Sequence, residues 1–153
     1  MKLRNALVTA IEAVKTQGRP SLEGLRCKYK HETDGGTLRC AVGHLVPLDV
    51  HDDTTVKLGH SLEVYGPLEY LDACGVKVEQ EGVANRLYWL RALQHVHDLP
   101  AKGGNWSNQS AKADVEAGFP YWREAFDRRS AVLLGMFDEN PAKPPSLCTL
   151  QDV

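Results

Sequence analysis

The sequence has no cluster of basic residues. Its 18 lysine and arginine residues are spread among 20 aspartate and glutamate residues, and the formal net charge is −2. Proteins that bind DNA or RNA carry Lys and Arg together on one face or stripe, where these residues contact the phosphates. Each contact releases counterions that were condensed on the nucleic acid, and this release favours binding. We therefore do not expect a nucleic acid as a direct ligand, and the small net charge also argues against a mimic of nucleic acid.

A long apolar run is also missing. No segment approaches the roughly 18 consecutive apolar residues that a membrane-spanning helix needs. Residues 1–18 read MKLRNALVTAIEAVKTQG and carry charges where a signal peptide needs an unbroken apolar core. We therefore expect no membrane partner and a cytoplasmic location.

Cysteine is scarce for a protein held together by disulfides. The four cysteines in 153 residues are Cys27, Cys40, Cys74 and Cys148. Disulfide-rich scaffolds are small secreted domains, whereas this chain is long enough for one ordinary domain and 42% of its residues are apolar. We expect reduced thiols and a single hydrophobic core.

No complete catalytic or cofactor-binding signature is present. Residues 103–106, Gly-Gly-Asn-Trp, lack the Lys-Ser/Thr pair of a phosphate-binding loop. His95 and His97 suggest a metal phosphohydrolase dyad, but residues two apart on a helix point to different sides. The sequence therefore predicts no cofactor.

Periodic apolar residues predict three long helices. The first begins near Leu3 and ends before Gly18, a residue type suited to the left-handed position after a helix. The others cover residues 83–98 and 120–137, and a shorter helix is predicted at residues 67–75, between a proline and a glycine. Residues 48–66 are predicted to be irregular.

Residues 25–31 and 37–40 are predicted to form two strands around Asp34-Gly35-Gly36, because Asp-Gly and Gly-Gly tolerate the positive φ of hairpin turns. The predicted fold class is α+β, a mainly helical single domain with one small antiparallel hairpin. We predict that residues 1–137 form this domain. Residues 138–153 are rich in proline and are predicted to be a non-helical tail or an extended strap.

Cys-x3-His occurs on both sides of this turn, as Cys27 with His31 and Cys40 with His44. These are zinc-ligand residue types, but residues four apart on a strand are separated by about 13 Å, so one zinc ion cannot collect all four from a flat hairpin. Zinc remains an alternative only if residues 41–46 are helical and another ligand comes from elsewhere. The spacing therefore assigns no metal site.

A thiolate nucleophile is another interpretation of the same residues. Cys40 lies at a possible strand-to-helix junction, where unpaired backbone N–H groups favour the thiolate. His97, at the end of a strong helix, is the candidate base, and Asp98 is the candidate residue to orient it. His44 could replace His97 if residues 41–46 are helical.

The simplest interpretation is that Cys27 and Cys40 belong to the core. Free cysteine is among the most often buried residue types and behaves as a small hydrophobe. Residues 25–30, Leu-Arg-Cys-Lys-Tyr-Lys, alternate between apolar and basic as a half-buried strand does. A histidine at a helix C-terminus is also favoured by the helix dipole without a catalytic role.

Short patterns along the chain carry a family resemblance. They are Gln17-Gly18 at the end of the first helix, Cys-x-Tyr at 27–29, Cys-Ala-x-Gly-x-Leu-Val-Pro at 40–47, Leu-Gln-x-x-His-Asp at 93–98, and Trp106. In these patterns the chain resembles a group of small, mostly uncharacterised proteins encoded by bacteriophages and prophages. The resemblance covers about the first two-thirds of the chain. It implies a protein made inside a bacterial host cell during infection or lysogeny, and it implies no particular activity.

We expect an accessory protein that binds a host or phage macromolecule, most simply a protein, stoichiometrically, in counter-defence or host takeover. A cysteine-dependent hydrolase or group transferase is the alternative, and a zinc-binding module is the second alternative. The candidate binding residues are Cys27, Tyr29, His44 and Trp106, and the candidate catalytic residues are Cys40, His97 and Asp98. We predict that Cys27, Tyr29, Cys40, His97 and Trp106 lie near one another.

Overall fold

The computed structural model consists mainly of helices, with two small β-hairpins, and describes residues 1–23, 26–80, 83–102, 108–151 and 153. The predicted class, a mainly helical α+β single domain, is confirmed. The elements in chain order are α1 (Leu3–Gln17), β1 (Leu22–Glu23), β2 (Arg26–Cys27), β3 (Lys30–Thr33), β4 (Gly36–Arg39), a 3₁₀ turn (Gly43–Leu45), α2 (Leu48–Leu58), a second 3₁₀ turn (Leu62–Val64), α3 (Pro67–Ala73), α4 (Val83–Lys102), α5 (Asn108–Glu116), α6 (Pro120–Glu139) and α7 (Leu147–Gln151).

Helix α1 forms as its apolar period predicts. Its buried residues are Leu3, Ala6, Leu7, Ala10, Ile11 and Val14, which fall on one face. Gly18 ends the helix with a φ of 75° and donates its backbone N–H to the Val14 carbonyl. Only a residue that tolerates positive φ ends a helix in this way at low cost. Glycine at position 18 therefore predicts correctly where α1 ends.

The core lies between α1, α4 and α6. Trp89, Leu90 and Leu93 of α4 and Trp122 and Phe126 of α6 are fully or almost fully buried. Helix α7 packs against α4 and α6, and its Leu150 has no exposed surface. Residues 147–151 are thus helical, where the prolines predicted a non-helical tail.

The strand region forms two hairpins among the described residues. In the β3–β4 hairpin His31 lies opposite Leu38, not Cys40, because the turn is centred on Asp34-Gly35. Cys27 belongs to a separate hairpin, in which it lies opposite Leu22 of β1. Cys27, His31, Cys40 and His44 therefore do not lie together on one hairpin.

The structure of residues 43–58 decides whether residues 41–46 are helical and contradicts the prediction that residues 48–58 are irregular. Gly43–Leu45 forms a 3₁₀ turn, so the helical alternative for residues 41–46 applies there. Leu48–Leu58 is an α-helix, where the sequence predicted irregular structure. This helix buries none of its residues, so it has no apolar stripe to reveal it in the sequence.

None of the helices in the described residues combines the length and the apolar character that a bilayer crossing requires.

Candidate functional site

Cys27, Gln94, His97 and Asp98 form a polar cluster between β2 and the C-terminal half of α4. One donor atom each of Cys27, His97 and Asp98 lies within 4.8 Å of the others. The His97 side chain is completely buried, and the Asp98 side chain is 15% exposed. Such a convergence of a thiol, an imidazole and a carboxylate inside a domain is typical of catalytic and metal sites.

Helical spacing accounts for most of the polar cluster. Gln94, His97 and Asp98 stand at i, i+3 and i+4 on α4, so their side chains emerge on one side of the helix. Leu93, one turn before His97, and Val96 are fully buried in the core. Cys27 comes from β2, far away in the sequence, and is placed there by tertiary packing.

Gln94 occupies the point on which the other side chains converge. Its Nε2 lies 2.8 Å from Cys27 Sγ, 2.8 Å from Asp98 Oδ1 and 3.5 Å from His97 Nδ1. Its Oε1 accepts the backbone N–H of Val42 at 3.4 Å. Sequence reasoning included Gln94 in a family pattern but not among the site residues, although its spacing to His97 and Asp98 was the available signal.

Both ring nitrogens of His97 have hydrogen-bonding partners. Nε2 accepts the backbone N–H of Ser21 at 3.3 Å, so Nδ1 carries the proton and donates to Asp98 Oδ1 at 2.8 Å. The Trp122 ring packs edge-on against the imidazole, and its Nε1 donates to the His97 carbonyl. In this arrangement the imidazole has no lone pair directed at a thiol.

The two thiols beside α4 differ in position. Cys40 is completely buried, and its Sγ accepts the backbone N–H of Gly43 at 3.3 Å. The hydrogen-bonded Cys40 side chain, burial and the neighbouring Asp98 all raise the pKa of Cys27. Cys27, not Cys40, joins His97 and Asp98 in the group of three donors, and its thiol remains protonated at neutral pH.

The predicted binding residues fall in different places. Tyr29 is buried, stacks on Tyr70 at 3.8 Å between ring centroids, and donates its hydroxyl to the Tyr65 carbonyl. Its pKa is raised, mainly by burial. Tyr29 is therefore a core residue. Trp106 lies outside the described residues, so its predicted proximity to the other residues stays a prediction.

His44 stands beside α1, with its Nε2 at 3.1 Å from Gln17 Oε1. Burial, followed by the like charges of Arg39 and His97, lowers the pKa of His44 to about 4. The ring is thus neutral in the folded protein at pH 7, whereas an unfolded histidine titrates near 6.5.

His44 is expected to make folding stability fall with acidity. The folded pKa lies below the unfolded one, so this contribution is complete above about pH 6.5 and is lost as the pH falls toward 4. Between pH 7 and 4.5 we expect the wild type to lose about 1–2 kcal/mol more than His44→Gln, a value discounted for partial exposure. Urea unfolding at both pH values measures this, with His60→Gln, at an exposed histidine, as the control. Equal pH dependence in the wild type and His44→Gln would refute it.

A second candidate site is a surface that we call the α2–α3 face, formed by Leu48–Leu58, Leu62–Val64 and Pro67–Ala73. Val56 is 80% exposed, Val64 71% and Leu58 43%. A groove of about 340 Å³ lies between α2 and the end of α3, and its lining includes Leu58, Ala73, Asp53 and Lys57.

The α2–α3 face is also acidic. Residues 48–80 contain the acidic residues Asp49, Asp52, Asp53, Glu63, Glu69, Asp72 and Glu79, and only two lysines, Lys57 and Lys77. Seven acidic residues against two lysines make this segment −5, whereas the whole chain is −2. Lys30 of β3 pairs with Asp52 at 2.7 Å, but Asp49, Asp53, Glu69 and Asp72 are exposed.

Comparison of the chain with protein-family models, with curated proteins and with solved structures finds no significant match in any of the three.

Proposed function

We propose that the protein acts by stoichiometric binding of a partner protein through the α2–α3 face. The observation that carries this proposal is that α2 buries none of its residues yet exposes Val56 and Leu58. Helices in proteins obtain most of their stability by packing an apolar stripe against a neighbour. A helix that packs only Val50 partly against the core and leaves Val56 and Leu58 exposed is therefore suited to contact a partner.

The charge of this face specifies the chemistry of the partner. Asp53 lines the groove together with Leu58, and Asp72 is exposed next to the lining residue Ala73 in the chain. The partner segment that complements this face carries Lys or Arg on both sides of an apolar residue. This apolar residue enters the groove between α2 and α3. The same carboxylates repel nucleic-acid phosphates, so a basic protein segment is the partner class that fits.

The setting follows from the family resemblance. A phage or prophage protein made in a bacterial cell would bind a host or phage protein there, as an accessory factor in counter-defence or host takeover. Stoichiometric binding needs an exposed complementary surface and no catalytic group, which agrees with the closed hydrogen bonding of His97 in the polar cluster.

A photo-crosslinking amino acid in place of Val56 tests the proposal directly. In extract from infected host cells we expect a crosslinked partner whose captured peptide is basic. The matched control has the same amino acid in place of Val115, a 56% exposed valine on α5. Capture at Val115 equal to that at Val56, or capture of an acidic peptide at Val56, would overturn the proposal.

Charge neutralisation on the same face has a separate expected result. For the captured partner, Asp53→Asn with Asp72→Asn is expected to weaken binding about tenfold at low salt, because several exposed carboxylates act together on the association rate. The difference from wild type should shrink as salt is raised. Glu124→Gln with Asp127→Asn on α6 removes two exposed carboxylates elsewhere and should leave the affinity unchanged.

A cysteine-dependent hydrolase or transferase is the second candidate function, favoured by the His97–Asp98 hydrogen bond beside Cys27. Native alkylation by iodoacetamide, read at each cysteine by mass spectrometry, tests it. Because the pKa of Cys27 is raised, we expect the exposed Cys148 to react faster near pH 7. Faster reaction at Cys27 would show an activated thiol and would favour the enzyme.

A further inference from the structure

The donor set of the polar cluster is that of a metal centre. We propose that Cys27, His97 and Asp98 bind one zinc ion, which takes the position now held by the Gln94 amide. This site is separate from the α2–α3 face, so the two proposals succeed or fail independently.

Distance and residue type both fit zinc. The sulfur, nitrogen and oxygen donors lie within 4.8 Å of one another. Zinc bonds of about 2.0–2.3 Å place tetrahedral ligands about 3.3–3.8 Å apart, so side-chain adjustments of about 1 Å suffice. A thiolate together with an imidazole selects zinc over magnesium or calcium, which prefer oxygen ligands. The fourth position remains for water.

The position of Gln94 shows where the cation would lie. Its Nε2 contacts Cys27 Sγ, Asp98 Oδ1 and His97 Nδ1 at 2.8, 2.8 and 3.5 Å. The two amide hydrogens are directed at Cys27 Sγ and Asp98 Oδ1, and the protonated His97 Nδ1 lies near the same nitrogen without accepting from it. A divalent cation at this point contacts all three. Gln94 would also give up the long 3.4 Å hydrogen bond that its Oε1 accepts from the Val42 N–H.

The protons can be accounted for. The Cys27 thiol loses its proton to solvent when the sulfur binds zinc. His97 binds through Nδ1, so its ring proton moves from Nδ1 to Nε2. The 3.3 Å hydrogen bond from Ser21 N–H to Nε2 is then lost, and the ring turns slightly within its pocket. Asp98 Oδ1, which accepts the His97 and Gln94 hydrogens, would bind zinc as a carboxylate oxygen.

Metal titration of the full-length protein tests the proposal. After removal of bound metal with a chelator, zinc is titrated in competition with a chromophoric chelator, and we expect one ion per chain. Cys27→Ser and Asp98→Asn should each weaken binding at least tenfold. Cys148→Ser, at an exposed cysteine on α7, should bind like the wild type.

Cobalt supplies a readout of the ligands themselves. Wild type loaded with Co²⁺ should show thiolate-to-cobalt charge-transfer absorption, which Cys148→Ser should keep. Gln94→Ala removes the competing amide and should retain the one-to-one stoichiometry with several-fold higher affinity. Absence of stoichiometric zinc binding, a cobalt spectrum without the thiolate band, or loss of binding in Gln94→Ala would overturn the proposal. The wild-type spectrum decides the matter even if Cys27→Ser does not fold.

Discussion

Gly43→Ala is expected to lower the free energy of unfolding by about 3 kcal/mol or more. A Cβ atom built on Gly43 overlaps the carbonyl oxygen of Tyr29 and lies 2.9 Å from its carbonyl carbon and 3.2 Å from its Cα. All of these are backbone atoms, which cannot turn aside as a flexible side chain would. Tyr29 is itself held by its stack on Tyr70 and its hydrogen bond to Tyr65.

The control for Gly43→Ala is Gly135→Ala in the interior of α6. A Cβ at Gly135 has nothing within 4 Å, so alanine adds helix propensity without a clash. We expect a gain in stability of about 0.5–1 kcal/mol. Urea denaturation of the three proteins at pH 7 measures both effects. A Gly43→Ala protein within 1 kcal/mol of wild type would mean that the turn at residues 43–45 can move away from Tyr29 at little cost.

Trp122→Ala is expected to cost about 3–5 kcal/mol, the usual range for removing a large buried aromatic side chain. Trp122 is 1% exposed, stacks on Phe126 at 5.1 Å between ring centroids, and packs edge-on against His97. Its Nε1 also donates to the His97 carbonyl at 2.9 Å. The alanine variant therefore leaves a large cavity and a buried acceptor without its donor.

Trp122→Phe separates these two contributions. Phenylalanine keeps a ring against Phe126 but has no N–H for the His97 carbonyl, so we expect a loss of about 1–3 kcal/mol. Thermal and urea unfolding, compared with wild type, give both values. The assignment of Trp122 as the packing residue between α4 and α6 fails if Trp122→Ala is no less stable than Trp122→Phe.

Local chemistry in the sequence determined the long helices. The apolar period from Leu3 to Val14, closed by Gly18, predicts α1, and the same kind of period predicts α4 and α6. These signals are reliable because they depend on residues three or four apart on the same element. The helical spacing of Gln94, His97 and Asp98 was likewise present in the sequence, although only two of the three were chosen as site residues.

The cross-strand pairs of the β3–β4 hairpin depend on which two residues form the centre of the turn, and the sequence permits two possibilities. Asp34-Gly35 and Gly35-Gly36 are both acceptable turn centres. The structure uses the first, which places Leu38 opposite His31 and removes Cys40 from that position. A shift of one residue in the turn changes every cross-strand pair, so the side-chain arrangement on the hairpin could not be derived from composition and spacing.

Tertiary packing alone decided which thiol joins His97 and Asp98. Cys27 and Cys40 follow equally plausible sequence patterns, but β2 carries Cys27 to Gln94, whereas the Cys40 sulfur points to the Gly43 N–H. Packing also decided the position of α2, a helix with no fully buried residue whose Val50 packs partly against the core. The sequence by itself determined the elements whose stability comes from their own periodicity and end residues. The place of Cys27 in the polar cluster results from a contact between residues distant in the chain, which no local pattern encodes.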